Sequence, residues 1–408
     1  MSKHRDIIAA LDVGTTKICL LVAERVENGD IRILSAGTQP SRGLRKGEVI
    51  NVAQTVDSIE KTFSQVENIC EVEISSVFAG ITGSHIQSYN SRAVLPVANP
   101  AVGVTEKDML NAIEAARSVA LPRECEILHT IPQEFSVDDR EGIADPEGMQ
   151  GTRLEARVHL VTGRTAAIRD IANCINQAGL AVAEVVLQHL ASSLAVVRKE
   201  EQQSGVVLVD IGGGTTDYVF LRDETVWHTG VLSVGGDHVT NDISLGMKLL
   251  LRQAEELKKK YGSALHDRVK DDAGLFLPEA LVRSVDGLSR RKLCQIIELR
   301  LVELFRLIRR DLEKAGHFQS IGSGLVLTGG SALLKNIADL AERETGLPVR
   351  IGTPAGVSGL REVIDSPVYS TAVGLIKYGF RPERPRPAGD ASPVKFIGGL
   401  KRWLGRYF

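Results

Sequence analysis

Aromatic residues and cysteines are scarce in this chain, and the scarcity of cysteine limits the cellular compartments to which the protein can belong. Phe, Trp and Tyr make up 4% of its 408 residues, and there are five cysteines. No cysteine pair has C-x-x-C spacing, so we expect reduced thiols in a reducing compartment. No apolar run approaches the ~18 residues that a membrane-spanning helix needs, and the N-terminus lacks a secretory pattern. The sequence predicts a cytoplasmic protein.

An excess of charge of one sign is also missing. The formal net charge is -2 at pH 7, which excludes a polycation built for nucleic acid, so we expect no nucleic-acid partner. The hydrophobic fraction of 43% is that of a globular protein, and the length suffices for two or more domains. Any attraction to phosphate or to a membrane must therefore come from local clusters.

Two segments of the chain resemble each other. The first places Asp12 at the end of an apolar run and continues with Gly14-Thr15-Thr16-Lys17. The second places Asp210 in the same position and continues with Gly212-Gly213-Gly214-Thr215. Each pattern predicts a strand, a tight turn and a second strand. The repetition predicts two related halves joined by the polar segment 198–204.

Strands and helices alternate through the rest of the chain, which predicts α/β layers. Strand patterns cover 74–80, 158–162 and 324–327. Helical patterns cover 54–66, 165–178, 242–261, 291–315 and 333–344, and a further helix is predicted from an N-cap at Thr105 to about Ala120.

The two turns have the chemistry of a phosphate-binding site. Glycines let backbone N–H groups approach phosphate oxygens, and threonine hydroxyls add donors. Two such hairpins facing one another would hold a triphosphate, with Asp12 and Asp210 flanking one Mg²⁺ and Lys17 offering its charge to the β and γ oxygens. Taken alone, the first segment fits a plain hairpin turn equally well.

A third segment, Thr328-Gly329-Gly330-Ser331, follows a predicted strand. Its glycines would let a base or ribose lie against the backbone. We expect the segment to open a helix, whose N-terminus favours anionic oxygen.

The order of these three elements resembles the actin/Hsp70/sugar-kinase superfamily. The resemblance implies an actin-like (ribonuclease H-like) α/β fold, with two lobes hinged around Mg-ATP. Carried over by position, it implies phosphate contacts from both hairpins. It also implies adenosine contacts from the third segment, made by Gly329, Gly330 and Ser331.

Three more residues are assigned by the same resemblance. Glu255 and Lys258 match positions that reach the ribose and base in relatives, although a solvated helix face is the alternative. Gln188 falls where relatives orient the attacking water. A neutral amide is a poor base, so we expect at most slow ATP hydrolysis. A hydrogen-bonded loop residue is the competing interpretation of Gln188, and the neighbouring His189 is expected to be structural.

The end of the chain changes character twice. Residues 381–393 are rich in proline and predict a semi-extended linker. Residues 394–408 read VKFIGGLKRWLGRYF and predict an amphipathic helix lying on an anionic membrane surface. The apolar and basic residues assigned to that contact are Phe396, Ile397, Leu400, Trp403, Leu404, Tyr407, Phe408, Lys401, Arg402 and Arg406. A helix packed on the protein's own core is the alternative, which the linker disfavours.

Further motifs resemble one family in particular. They are SRGLRKG at 41–47, IPQEF at 131–135, GMQGTRLEARVHLVT at 148–162 and YSTAVGL at 369–375. Together with the tail, they resemble the FtsA family of bacterial cell division proteins over essentially the whole chain. The resemblance implies a subdomain 1C inserted at 84–162. The other expected subdomains are 1A at 1–83 and 163–198, 2A at 199–241 and 317–380, and 2B at 242–316.

The family resemblance also implies a function. It implies ATP-dependent filaments of the protein itself, peripheral on the cytoplasmic face of the cell (inner) membrane at the division site. It further implies anchoring of the tubulin-like protein FtsZ by its C-terminal peptide, and recruitment of later divisome proteins. A pilus-assembly relative, PilM, is the alternative but is expected to lack the tail. A sugar kinase or an Hsp70-like ATPase is a weaker rival, because no sugar pocket or β-sandwich domain is evident.

The FtsZ peptide is expected on the small lobe of the second half. In the predicted helix 291–315, Leu293, Ile297, Leu304 and Ile308 form an apolar stripe that Arg300 interrupts. A cation at the rim of an apolar groove would suit an acidic and apolar peptide. The alternative is an Arg300 side chain extending from the edge of the core.

Overall fold

The structure is a computed structural model that describes residues 6–27, 29–70, 72–269 and 289–381. The predicted membrane tail, and the linker beyond Arg381, lie outside the described residues. The strands are β1 (Asp6–Val13), β2 (Lys17–Arg25), β3 (Ile31–Pro40), β4 (Leu44–Arg45), β5 (Glu48–Val49), β6 (Ser76–Ile81), β7 (Gln87–Pro96), β8 (Cys125–Val137), β9 (Arg140–Ile143), β10 (Arg153–Arg164), β11 (Ala181–Leu187), β12 (Val206–Ile211), β13 (Thr216–Arg222), β14 (Thr225–Leu232), β15 (Leu325–Thr328) and β16 (Val349–Ile351). The helices are α1 (Val52–Glu67), α2 (Glu106–Arg117), α3 (Thr165–Gln177), α4 (Gln188–Val196), α5 (Lys199–Gln203), α6 (Gly236–Met247), α7 (Leu251–Tyr261), α8 (Arg290–Lys314), α9 (Ile337–Thr345), α10 (Arg361–Ile364) and α11 (Ser370–Gly379).

The two halves of the chain have the same sheet topology. The first sheet has the order β3-β2-β1-β6-β11, and the second has the order β14-β13-β12-β15-β16. In both, the first three strands form an antiparallel meander and the last two run parallel to the first strand. The prediction of two related halves from the repeated Asp-x-Gly segments therefore corresponds to a repeated five-stranded unit.

Helices α4 and α11 pack against each other between the two sheets. Their apolar residues belong to one core cluster that also takes in residues of both sheets. The cluster includes Ala10 of β1, Leu208 of β12 and Val373 of α11. Burial of this shared apolar surface joins the two halves.

The crossing of α4 and α11 is close because Gly374 has no side chain. A Cβ atom at Gly374 would overlap the backbone carbonyl of Ala191 and lie 3.0 Å from the backbone nitrogen of Ser192. The backbones of the two helices are therefore in direct contact at this point.

A separate four-stranded sheet is inserted into the first half. Its order is β7-β10-β8-β9, and all of its pairs are antiparallel. Helix α2 covers one face of this sheet. Its apolar residues form a separate core with those of the sheet, among them Phe135, Leu154 and Leu160. We call this sheet with α2 the inserted subdomain. As predicted, Thr105 caps α2, and the Asp108 carboxylate accepts from the Thr105 amide at 3.0 Å.

Several predicted helix bounds were wrong. The segment 242–261 is two helices, because Lys248 adopts a left-handed conformation (φ 55°) and the following Leu249 turns into the core. Helix α2 ends at Arg117 rather than near Ala120, and the connector 198–204 contains the short helix α5. Within the described residues, we find no helix with the length and apolar character to cross a bilayer.

Candidate functional site

The turns after β1 and β12 have the same local geometry. The Gly14 amide donates to the Lys17 carbonyl at 3.0 Å, and the Gly212 amide donates to the Thr215 carbonyl at 2.9 Å. A side chain at Gly14 would lie 2.8 Å from that Lys17 oxygen, so the turn requires a residue without Cβ. The two hairpins are therefore structural equivalents in the two halves.

These two hairpins face each other and touch. A Cβ atom at Gly213 would overlap the Thr16 methyl group and lie 2.9 Å from its hydroxyl oxygen. A Cβ atom at Gly214 would lie 2.6 Å from the Thr15 hydroxyl oxygen. The glycines of the second hairpin thus allow the threonines of the first to approach its backbone, and together they line one cleft.

Asp12 and Asp210 lie at the base of this cleft. Burial raises the pKa of Asp12, and nearby Lys17 opposes this effect. Burial also raises the pKa of Asp210 to about 7; a hydrogen bond from Ser192 opposes this shift, and the charges of Asp217 and Asp12 add to it. Ionised carboxylates buried this close together disfavour one another, and a bound cation would favour their ionised forms.

A third carboxylate, Asp217, belongs to the same cluster. It lies opposite Asp210 in the β12–β13 ladder and accepts a hydrogen bond from Thr215 at 2.9 Å. The Thr82 hydroxyl, from the first half, also donates to Asp217. Neither ring nitrogen of the buried His189 has a hydrogen-bond partner in the part of the chain that the structure describes, although Nδ1 lies 3.7 Å from Asp217.

Lys17 and Gln188 both reach Asp12. The Lys17 ammonium lies 3.7 Å from Asp12 Oδ2 and donates to the Val368 carbonyl at 2.6 Å. The Gln188 amide donates to Asp12 Oδ1 at 3.1 Å. Gln188 is thus a buried, hydrogen-bonded side chain at the cleft, a position compatible with both interpretations drawn from the sequence.

The third predicted segment lies beside the second hairpin. The Ser331 hydroxyl donates to the Gly212 carbonyl at 3.3 Å. Gly329 has a φ of +85°, and a Cβ atom there would overlap a carboxylate oxygen of Asp210. The expected helix does not begin at this segment: a short 3-10 turn covers Gly330–Leu333, and α9 begins at Ile337. The prediction that the following α-helix opens directly at this segment was wrong.

Glu255 and Lys258 are brought to the same region by α7. The Lys258 ammonium lies 2.6 Å from Glu255 and donates to the Gly236 carbonyl at 2.9 Å and to Thr240 at 2.8 Å. Burial opposes ionisation of Glu255, yet Lys258 and the hydrogen bonds around it hold the pKa of Glu255 below its usual value. A Cβ atom at Gly236 would lie 2.7 Å from the Ser331 hydroxyl and 3.4 Å from the Lys258 ammonium. This pair therefore lies close to α6 and the third segment.

Arg300 does not border the groove that the sequence predicted. Leu293, Ile297 and the other apolar residues of its stripe are buried in the core of the second half. Arg300 itself contacts Asp242 at 2.6 Å and pairs with Glu303. The pattern correctly marked a buried helix face, but that face packs on the protein's own core, so the argument for a groove at the stripe was wrong.

Sequence reasoning missed several residues at the cleft. Thr82, Ser192 and Thr371 contact the aspartates from distant parts of the chain, with Thr371 lying 3.2 Å from Asp210. Their contacts join residues far apart in sequence, so no local pattern indicates them. The position of Asp217 could have been predicted from the sequence, because a tight hairpin places it across from Asp210.

The repeated sheets and paired hairpins define an actin-like, two-lobed α/β protein. Solved structures with this fold include the PilM-PilN type IV pilus biogenesis complex, which is 20% identical over 92% of this chain and 99% of that one, with a TM-score of 0.66. MreB5 of Spiroplasma citri bound to ADP is 14% identical over 91% of this chain and 95% of that one, with a TM-score of 0.54.

Sequence comparisons identify the family. The family model described as "Cell division protein FtsA" matches residues 207–374, and the model "SHS2 domain inserted in FTSA" matches residues 83–162. The cell division protein FtsA of Pseudomonas aeruginosa is 38% identical over 98% of this chain and 97% of that protein. FtsA of Escherichia coli K12 is 35% identical over 99% of both chains. The chain belongs to the FtsA family of cell division proteins.

Proposed function

We propose that this chain is an ATP-binding cell division protein that forms actin-like filaments on the cytoplasmic face of the inner membrane. In this proposal it anchors FtsZ there and recruits later divisome proteins. The observation that carries the nucleotide part is the contact between two equivalent Gly-Thr hairpins above Asp12 and Asp210. Family membership supports the role in division.

The hairpins are the proposed phosphate site. Their backbone amides and threonine hydroxyls supply donors from both halves, and Lys17 supplies a positive charge. Lys17 would exchange its bond to the Val368 carbonyl for the phosphates. Gly329, Gly330 and Ser331, with Glu255 and Lys258 opposite, would bind the adenosine, and Gln188 would orient water.

The residues at the base of the cleft fit Mg²⁺. Asp12 and Asp210 are oxygen donors, the donor type that Mg²⁺ prefers. Burial raises the pKa values of both carboxyls, and the charge of neighbouring Asp217 adds to each rise. Mg²⁺ would neutralise phosphate charge. We propose that Asp12 and Asp210 hold it, and that Thr82 and Thr215 fix Asp217 beside it.

For the FtsZ peptide we propose Arg300 together with exposed leucines, in place of the buried stripe that the sequence indicated. Leu245, Leu250, Leu251 and Leu299 are 71%, 69%, 58% and 66% exposed. These leucines come from the end of α6, the start of α7 and the middle of α8. Exposed leucines together with a cation would suit the acidic and apolar FtsZ C-terminal peptide, and we propose that Arg300 exchanges Asp242 for a peptide carboxylate.

The membrane contact is proposed from the sequence of residues 394–408. The chain would lie on the surface of the bilayer through the apolar face of this segment, with its basic residues near anionic headgroups. The subdomain division given by the resemblance, including 1C at 84–162, is likewise our proposal for how the partners are distributed.

Measurement of Mg-ATP binding by the full chain tests the nucleotide proposal. We expect Asp210→Ala to abolish binding, because it removes a carboxylate from the base of the cleft. The matched control is Asp57→Ala, which removes an exposed carboxylate on α1 paired with Lys61. Equal affinity of the Asp210 variant and the parent would refute the site.

Sedimentation with anionic vesicles tests the membrane proposal. The full chain should pellet in the presence of ATP, and a chain lacking the last 16 residues should remain in the supernatant. Neutral vesicles provide the control for the basic residues. Undiminished pelleting of the truncated chain would exclude the tail as the anchor.

A further inference from the structure

The segment 41–47, with the sequence SRGLRKG, is attached to the first hairpin at both of its ends. The Ser41 amide donates to the Thr16 carbonyl at 3.1 Å. The Gly47 amide donates to the Thr15 hydroxyl at 3.1 Å. Both threonines belong to the proposed phosphate site, so the segment is held directly beside it.

Lys46 lies at the tip of a small hairpin within this segment. Strands β4 and β5 pair with Arg45 opposite Glu48, which leaves Lys46 and Gly47 as a two-residue turn. Both turn residues have positive φ, 51° for Lys46 and 80° for Gly47. Turns of this kind favour asparagine and glycine, and lysine adopts positive φ uncommonly. Residues held in such conformations cluster at functional sites.

Close contacts hold the backbone of this turn. A Cβ atom at Gly47 would lie 2.6 Å from the Thr82 carbonyl oxygen, and a Cβ atom at Gly83 would lie 3.3 Å from the Lys46 carbonyl oxygen. The turn is therefore packed between Thr15 of the first hairpin and the residues that follow β6. These contacts fix where the Lys46 side chain begins.

Helix α6 borders the cleft from the second half. The Gly236 amide donates to the Gly212 carbonyl at 2.9 Å, and the Asp237 amide donates to the Gly213 carbonyl at 2.8 Å. The first turn of α6 is thus attached to the second hairpin, as the segment 41–47 is attached to the first. His238 belongs to this turn.

The charge of Lys46 acts on this helix across the cleft. Burial lowers the pKa of His238, and the positive charges of Lys46 and Arg300 lower it further, against the charges of Asp237 and Asp242. Such an influence requires proximity, because charges separated by solvent are screened over about 10 Å. The Lys46 side chain therefore lies between the first hairpin, which holds its backbone, and α6 on the second.

Lys46 differs from the other two lysines at the cleft. Lys17 lies 3.7 Å from Asp12, and Lys258 lies 2.6 Å from Glu255. Lys46 is partly buried, yet it forms no ion pair with any residue in the ranges that the structure describes. Its ammonium can therefore bind an anionic ligand without first giving up a carboxylate of the protein.

We propose that Lys46 binds the γ-phosphate of ATP and gives the cleft its preference for a triphosphate over a diphosphate. The inference rests on the proposed ATP site, to which it adds a cation from outside the hairpins. An ammonium on a flexible four-carbon stem acts as a mobile point charge, and its hydrogen bonds to phosphate are charge-assisted and strong. ADP lacks the group that Lys46 would bind.

Calorimetric titration of the full chain with Mg-ATP and with Mg-ADP tests this role. Lys46→Met keeps an unbranched side chain and removes the charge. We expect it to weaken binding of Mg-ATP by about tenfold, the effect of losing one hydrogen bond to a charged group, and binding of Mg-ADP by less than about twofold. Lys46→Arg should retain most of the preference for ATP.

Two further variants make the comparison specific. Arg45→Met removes an exposed neighbouring cation of the same hairpin and should bind both nucleotides as the parent does. Lys46→Asn removes the ammonium while introducing a residue that suits the turn, so it should repeat the effect of Lys46→Met even if methionine disturbs folding. The analogue AMP-PNP in place of ATP removes any contribution from hydrolysis.

The outcomes separate this inference from the proposed function. Equal losses for ATP and ADP in the Lys46 variants, or no loss for ATP, would overturn the inference. If the parent still binds ATP and Asp210→Ala does not, the proposed site stands in either case. Absence of ATP binding by the parent would overturn both.

Discussion

Thr16 and Gly213 touch across the cleft, one from each half of the molecule. A side chain at Gly213 would overlap the Thr16 methyl group. We therefore expect Gly213→Ala to separate the hairpins and weaken ATP binding by about tenfold or more, since overpacking of such contacts costs about 1–3 kcal/mol. Calorimetric titration with Mg-ATP measures the effect.

The double variant Thr16→Ser with Gly213→Ala controls for this explanation. Serine lacks the methyl group that the new Cβ would meet, so the second change should recover part of the lost affinity. Failure of the double variant to recover any affinity would argue against a steric cause.

The raised pKa of Asp210 predicts a specific pH dependence of stability. Its value of about 7 in the fold exceeds the ordinary value of 3.8, so the folded protein binds this proton more tightly than the unfolded chain. Tighter binding of this proton contributes to the free energy of unfolding. That contribution is fully present below pH 3.8 and is lost as the pH rises through about 7. Urea unfolding without ligand should show a steeper decline over this window for the parent than for Asp210→Asn.

Mg-ATP should reverse part of that decline. A cation beside Asp210 favours the ionised carboxylate, so the rise in Tm on adding Mg-ATP should be larger at about pH 8 than at about pH 6. Asp57→Asn is the control for an exposed carboxylate. A ligand-induced rise that is independent of pH would contradict the placement of the cation.

The close crossing of α4 and α11 predicts a large effect of a small substitution. Gly374→Ala should destabilise the protein by about 1–3 kcal/mol, because the methyl group meets the Ala191 backbone. Gly330→Ala is the control, since open space surrounds a Cβ there, and it should change stability by less than about 0.5 kcal/mol. Chemical unfolding of both variants makes the comparison, and similar losses would refute the packing argument.

The proposed role of Arg300 in binding the FtsZ peptide predicts a selective effect of its substitution. Arg300→Glu should weaken binding of the C-terminal peptide by about 2 kcal/mol or more, because it places like charge beside an acidic ligand. Arg309→Glu on the same helix also disrupts an Arg–Glu pair, with Glu313 at 2.8 Å, and serves as the control. Fluorescence anisotropy with labelled peptide compares them, and equal losses would exclude a specific role for Arg300.

The hairpins could be predicted because their signals are local. Asp12 and Asp210 each end an apolar run before a Gly-rich turn, and the bond within each turn joins residues three apart. The same holds for the cap of α2 at Thr105. In these cases the chemistry of a few neighbouring residues determines the backbone conformation.

The remaining features depend on tertiary contacts. The break between α6 and α7 follows from burial of Leu249, which helical periodicity does not reveal. The Thr82–Asp217 bond joins residues 135 apart, and no spacing rule indicates it. The apolar stripe on α8 showed that one face is buried but could not show that the protein's own core covers it.

The common sheet order of the halves has a consequence for how such proteins diversify. Each half departs from the repeat at a different place: the first carries the inserted subdomain after β6, and the second carries α7 and α8 before β15. Both additions leave the strands that carry Asp12 and Asp210 unchanged. Surfaces for new partners can therefore be acquired or replaced in these additions without altering the strands that carry the two aspartates.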